Sequence, residues 1–234
     1  MTKHQKRMSS PGDYPVNRND GAYVVKAEGP HPDERGVPLA VVLRDVLGYV
    51  DSMDEAKQVM GDGEVLVNGS KRSNPGSNLG FMDVLSFPGL DEHYRVLVTD
   101  EGFLMKEVDE DEAGEKLAKV ADKTTLKGGK TQLNLHDGNN IETEDGFDTR
   151  SSVLVTLPDL EIEEEIGFEE GNTAYVVGGK HVGKIAEILS IEIQPGSQEN
   201  TVKLGSGDEE FQTVEDNVYM VGEDEPVLEV DTDE

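Results

Sequence analysis

The dipeptide Asn68-Gly69, placed at the end of the β-branched run Glu64-Val65-Leu66-Val67, constrains the chain more than any other feature. Asn and Gly tolerate positive φ at both central positions of a two-residue loop, so a tight hairpin is predicted, with Lys71 and Arg72 emerging from its turn. Two helices are predicted ahead of it. Leu39, Val42, Leu43, Val46, Leu47 and Val50 mark one apolar helical face, Pro38 is pre-set for a first turn, and Arg44 lies near the flank of that face. Ser52 and Glu55 have capping-box spacing and start a second helix expected to end near Gly61, with Ala56, Val59 and Met60 packing on the first. After a Pro75-Gly76 break, Phe81 to Phe87 supplies a strand. Residues 37–87 therefore read as a helix-helix-hairpin module.

Charge is the most unusual bulk property. The formal net charge of −29 argues, taken alone, against a polyanionic partner, because like charges repel at long range. Its distribution reverses that argument: residues 1–80 carry a net −1, residues 81–170 a net −16 and residues 171–234 a net −12. The acidic side chains are scattered over well-patterned strands and hydrophobic content is 35%, so disorder explains the acidity poorly and adaptation to high salt explains it better. Around 1 M salt the Debye length falls to ~3 Å, which screens self-repulsion among surface carboxylates. A halophilic source is expected.

No apolar run approaches the ~20 residues that span a bilayer, so no membrane role is expected. The basic N-terminus lacks the apolar stretch of a secretory signal. The absence of cysteine excludes disulfide scaffolds, cysteine-ligated metal and thiol catalysis, and a cytoplasmic setting fits.

Residues 1–36 begin with Lys3, His4, Lys6 and Arg7 in a segment without apolar periodicity. It is expected to be an extended basic arm that orders on nucleic acid, followed by irregular structure over 12–36. Residues 88–165 read as a strand-rich central domain. Within it Tyr94 to Val98 and Phe103 to Met105 flank a turn, Asp109 to Val120 is expected to be a short helix, and Gly128-Gly129 breaks a hairpin. Residues 166–222 carry five short strands with glycine-rich turns, the pattern of a small barrel. Residues 223–234, with seven acidic side chains, are expected to be a solvated tail.

Gly178-Gly179-Lys180-His181-Val182-Gly183-Lys184 has the glycine and lysine spacing of a phosphate-cradling loop. Ile185 stands where that loop needs a hydroxyl for magnesium, and strand-like sequence follows where it needs a helix, so an NTPase is rejected. The His136-Asp137 pair reads as a hairpin turn. The five histidines show neither nucleophile-base pairing nor metal-ligand spacing, and no catalytic residue, metal or cofactor is expected.

The helix-helix-hairpin stretch, with Val65-Leu66-Val67-Asn68-Gly69, the basic pair and Pro75, resembles the small RNA-binding fold of ribosomal proteins and RNA-modifying enzymes. Gly171 to Ile188 looks like the strand-loop-strand KOW motif of SH3-like RNA-binding barrels. Together with Gly29-Pro30-His31, Leu43-Arg44, Gly80-Phe81-Met82-Asp83-Val84 and His136-Asp137, these segments resemble the archaeal and eukaryotic small-subunit ribosomal protein family S4e, in the right order over nearly the whole chain. The resemblance implies an α+β multidomain protein without catalytic activity or a small-molecule substrate. Small-subunit ribosomal RNA and neighbouring ribosomal proteins are its implied partners. Lys3, His4, Lys6, Arg7, Arg44, Lys57, Lys71, Arg72, Lys180, His181 and Lys184 are the expected RNA contacts. The overall acidity and the acidic terminus depart from the family pattern. An RNA-modifying enzyme sharing the module is the competing class, and it would need a further catalytic domain.

Overall fold

The computed structural model describes residues 3–19, 21–196, 198–207 and 209–232, so the first two residues of the expected arm and the last two of the expected tail lie outside the described residues. The chain divides into two units, one of residues 1–97 with 101–116 and one of residues 98–100 with 117–234. It is an α+β protein dominated by strands.

In the first unit, Leu66–Val67 and Ser70–Lys71 form the predicted hairpin, with Asn68 at φ 50° and Gly69 at φ 71°. Strand Val84–Phe87 pairs with the inner arm of the hairpin and then with Glu92–Thr99, and Gly102–Val108 completes a five-stranded sheet. The second helix, Met53–Asp62, starts where Ser52 Oγ accepts the Glu55 amide at 3.3 Å, while the Glu55 carboxylate accepts the Asp51 amide at 2.8 Å. It stops at Gly63 rather than Gly61, and the φ of +77° at Gly63 lets the chain leave through a left-handed cap.

The first helix departs from its predicted form. Leu39–Val41 is α-helical, but Val42–Val46 follows with wider π-type turns, the Leu47 amide reaching the Val42 carbonyl at 2.9 Å. A wider turn rotates the apolar register. Leu39 to Leu43 are buried, Val46 is exposed, and Val50 returns to the core beyond Gly48.

The N-terminal segment is not an extended arm. His4–Lys6 pairs antiparallel with Tyr23–Val25, a strand inside the stretch read as irregular. Arg7 is buried at 7% exposure, its Nη1 donating to the Asn17 carbonyl at 2.9 Å, which gives the inward-turned guanidinium a backbone partner.

The second unit contains two five-stranded sheets. In the first, Glu115–Thr125 lies between Thr131–Leu135 and Ser152–Thr156, with Asn140–Thr143 and Ile162–Ile166 at the edges. Ala118, Val120, Leu133, Leu135, Val153 and Val155 form its core. The helix expected over Asp109 to Val120 shrinks to Glu110–Ala113, capped by Asp109 and ended at Gly114. Beyond it Leu117, Ala118 and Val120 are all buried in a strand, because sheet packing outweighs the weak helical preference of a short segment.

In the second sheet the order is Glu209–Val214, Thr201–Ser206, Ile185–Glu192, Thr173–Val176, Val218–Gly222. All five predicted strands are present. The closing segment is not a free tail: Leu228 and Val230 are buried at 4% and 1% exposure, and the Thr173 amide donates to the Glu223 carbonyl at 2.9 Å. Two apolar side chains outweigh the acidity around them by leaving water.

Candidate nucleic-acid interface

The residues expected to carry RNA contacts come together in part. Lys3, His4, Arg44 and Lys57, separated by up to 54 positions in sequence, all line one cleft of about 340 Å³ in the first unit. Tyr23, Val24, Val25, Glu28, Met53 and Asn74 lie on the same cleft. Pairing of the terminal strand with Tyr23–Val25 brings in Lys3 and His4. The first helix presents Arg44 and the second presents Lys57.

Two of these cations already have carboxylate neighbours. Arg44 makes a two-point contact with Asp45 at 2.7 and 3.1 Å, and Lys57 reaches Asp54 at 2.9 Å. Lys57 and Asp54 are both solvent-accessible, so their pair contributes little stability and yields readily to a phosphate. Lys6 is exposed on the same terminal strand, whereas Arg7 is turned inward and borders a different depression with Arg44, Asn17 and Asp51.

Lys71 and Arg72 are exposed beyond the hairpin turn. Lys71 also folds back over the end of the second helix: a Cβ placed on Gly63 would lie 2.7 Å from its Nζ. Its ammonium thus sits by the negative end of that helix.

The base of the hairpin is locked from below. Asp83 Oδ1 accepts from Lys116 Nζ at 2.6 Å and from the Asn68 side-chain amide at 2.8 Å, and Asp83 Oδ2 lies 2.8 Å from His31 Nε2 and accepts the Gly80 amide at 2.8 Å. Asn68 Oδ1 accepts the Val84 amide at 2.9 Å. Burial alone would raise the Asp83 carboxyl, but the charges of Lys116 and His31 and the donors around it hold it well below the usual carboxylate range. The cluster has the composition of a catalytic site, yet the side chains of His31, Asp83 and Lys116 are at most 4% exposed, so no substrate reaches them. It is a buried support that fixes the turn from which Lys71 and Arg72 project.

In the second unit, Lys180, His181 and Lys184 occupy the loop between Thr173–Val176 and Ile185–Glu192, closed by the Gly183 amide on the Val176 carbonyl at 2.8 Å with Gly183 at φ +86°. His181 stacks on Phe211 with centroids 4.2 Å apart. Lys184 lies 5.7 Å from the same ring and donates to Glu209 at 2.7 Å. That hydrogen bond and charge, with help from His181 and Lys180, lower the Glu209 carboxyl. Ile185 begins a strand, the context that rules out a phosphate-binding helix. His136-Asp137 forms the predicted turn, Asp137 accepting the Asn139 amide at 3.0 Å.

Tyr23 is not singled out by the sequence. Its one available signal, the short β-forming run Tyr23-Val24-Val25, becomes informative only once the strand partner 17 or more residues away is known. Among the described residues, no group of three or more histidine or acidic side chains could hold a metal ion, and no helix is long and apolar enough to cross a membrane.

Similarity to known proteins extends along the chain. A family model described as "Ribosomal family S4e" matches residues 90–162, and one described as "S4 domain" matches residues 37–85. The small ribosomal subunit protein eS4 of Halobacterium salinarum is 45% identical over 226 residues, covering 95% of this chain and 97% of its own. That of Methanothermobacter thermautotrophicus is 42% identical over 230 residues, covering 97% and 95%. The crystal structure of the 30S ribosomal protein S4e from Thermoplasma acidophilum aligns with a TM-score of 0.69 at 33% identity, covering 80% of this chain and 95% of the other.

Proposed function

The chain belongs to the ribosomal S4e family, and we propose that it is accordingly a structural constituent of the small ribosomal subunit that binds small-subunit ribosomal RNA. The matched relatives are ribosomal proteins rather than enzymes, and no catalytic role is assigned. The module of residues 37–87 is the principal RNA-binding element. The five-stranded C-terminal sheet is read as a KOW-type SH3-like barrel whose Lys180–Lys184 loop makes a second contact. The protein acts in the cytoplasm, on the ribosome, beside other small-subunit proteins.

The observation that carries this reading is the gathering of Lys3, His4, Arg44 and Lys57 on one cleft, in the one part of a strongly acidic chain where positive and negative charges nearly balance. A basic footprint on an otherwise repulsive surface orients the protein so that its carboxylates face away from RNA. Co-sedimentation of the purified chain with small subunits in high salt tests the proposal. Stoichiometric association is expected, together with retention of naked small-subunit RNA on a filter; failure of both would overturn it.

A further inference from the structure

The two-stranded ribbon at the start of the chain has one face turned inward and one left open. In its register Lys6 stands opposite Tyr23 and His4 opposite Val25. Side chains alternate across a strand, so Gln5 and Val24 share the inner face while His4, Lys6 and Tyr23 share the outer one. Tyr23 is 60% exposed. The imidazole of His4 meets its ring edge to face, with centroids 5.0 Å apart and planes at 80°. Such a contact occupies at most one face of the phenol.

The same tyrosine borders the cleft lined by Lys3, Arg44 and Lys57. An aromatic face among fixed positive charges is the chemistry that holds single strands, since the ring stacks on an unpaired base while cations take the flanking phosphates. A duplex keeps its base faces within its own stack and has no use for the ring.

We propose that the outer face of the ribbon and its cleft form a site for an unpaired, unstacked ribonucleotide, its base on Tyr23 and its neighbouring phosphates on Lys3, Lys6, Arg44 and Lys57. The site rests on the RNA-binding reading above and adds to it the class of RNA and the residue that selects it. It also bears on the charge problem of this chain. Coulombic attraction and counterion release fade as salt rises, whereas stacking does not depend on them, so this part of the affinity persists in high salt.

A short oligouridylate carrying one 2-aminopurine, titrated into the full-length protein in multimolar potassium chloride, tests the site. Wild type is expected to quench the probe. Tyr23→Ala and Tyr23→Leu should each lose roughly 5- to 150-fold in affinity, the range of one base–aromatic stack, and Tyr23→Phe should retain it. Lys57→Gln should keep the quench while lowering the salt slope measured in dilute buffer by about 0.7, the share of one phosphate on a single strand. The leucine variant preserves the strand's apolar bulk, so comparison with phenylalanine isolates the aromatic ring even if alanine disturbs the ribbon. Equal affinity of the leucine and phenylalanine variants, or no quench by wild type, overturns the site. Co-sedimentation of wild type with small subunits, run alongside, decides the ribosomal reading separately.

Discussion

Lys116 donates to Asp83 across 2.6 Å in a place neither side chain shares with solvent, although the two lie 33 residues apart. The carboxylate is the common acceptor for Lys116, Asn68 and the Gly80 amide, with His31 against its second oxygen. Neutralising it takes away the charge against which the Lys116 ammonium is buried. Asp83→Asn should therefore cost about 3–5 kcal/mol in urea unfolding at fixed salt, and adding Lys116→Met should recover part of the loss. A double variant as unstable as the sum of the two single variants would show that the residues are not coupled.

The depressed Asp83 carboxyl has a pH consequence. Its folded value lies below the unfolded one, so its contribution is complete above the unfolded carboxyl pKa of roughly 3.9 and is lost as pH falls towards the folded value. The stability gap between wild type and Asp83→Asn should be constant near neutrality and narrow below about pH 4. Taking the difference removes the titration of the other carboxylates. A gap that widens on acidification would contradict the assignment.

Gly80 is pressed against His31, and a Cβ there would lie 2.3 Å from the imidazole Nδ1. Because that ring is held between the Gly80 backbone and Asp83, it cannot swing away without breaking its contact with the carboxylate. Gly80→Ala should cost about 1–3 kcal/mol by overpacking and should shift the His31 ring resonances in NMR. Gly89, where a Cβ meets nothing within 4 Å, provides the control: Gly89→Ala should change stability by less than about 0.5 kcal/mol.

Arg7 distinguishes an arm that belongs to the fold of the free protein from one that orders only on RNA. Its inward guanidinium and the pairing of His4–Lys6 with Tyr23–Val25 make the segment part of the fold. Arg7→Ala should destabilise the isolated protein by about 1–3 kcal/mol, while exposed Lys6→Ala should change it by less than about 0.5 kcal/mol. Differential scanning calorimetry of the free protein reads both.

Placement of charge should matter more than its sum. Lys71→Glu with Arg72→Glu, beyond the hairpin turn, is expected to weaken binding to small-subunit RNA by tenfold or more, on the order of 1 kcal/mol. An equal change in charge magnitude at exposed Glu163 and Glu164 should leave binding within about twofold. Filter binding at one fixed high salt concentration compares them, and equal effects would show that only bulk charge counts.

Local chemistry is legible from the residues alone. The Asn68-Gly69 hairpin, the Ser52 cap, the Asp137 turn and the five closing strands can all be read because their determinants lie within a few positions and act through steric limits on φ or short hydrogen bonds. The segment after Asp109 misleads for the same reason: its local pattern suits a helix, and only burial of Leu117, Ala118 and Val120 in a sheet decides otherwise.

The order of residues is thus enough to set the family pattern, the hairpin module and the sparing of its charge. Which cations are available is settled by packing in three dimensions. Packing turns Arg7 inward, buries Lys116 against Asp83, gathers Lys3, His4, Arg44 and Lys57 around Tyr23, and folds Leu228 and Val230 under an acidic terminus. A basic side chain looks the same in sequence whether it meets solvent, a carbonyl or a carboxylate. Its environment follows from which apolar surfaces leave water together, and that free energy is summed over residues far apart in the chain.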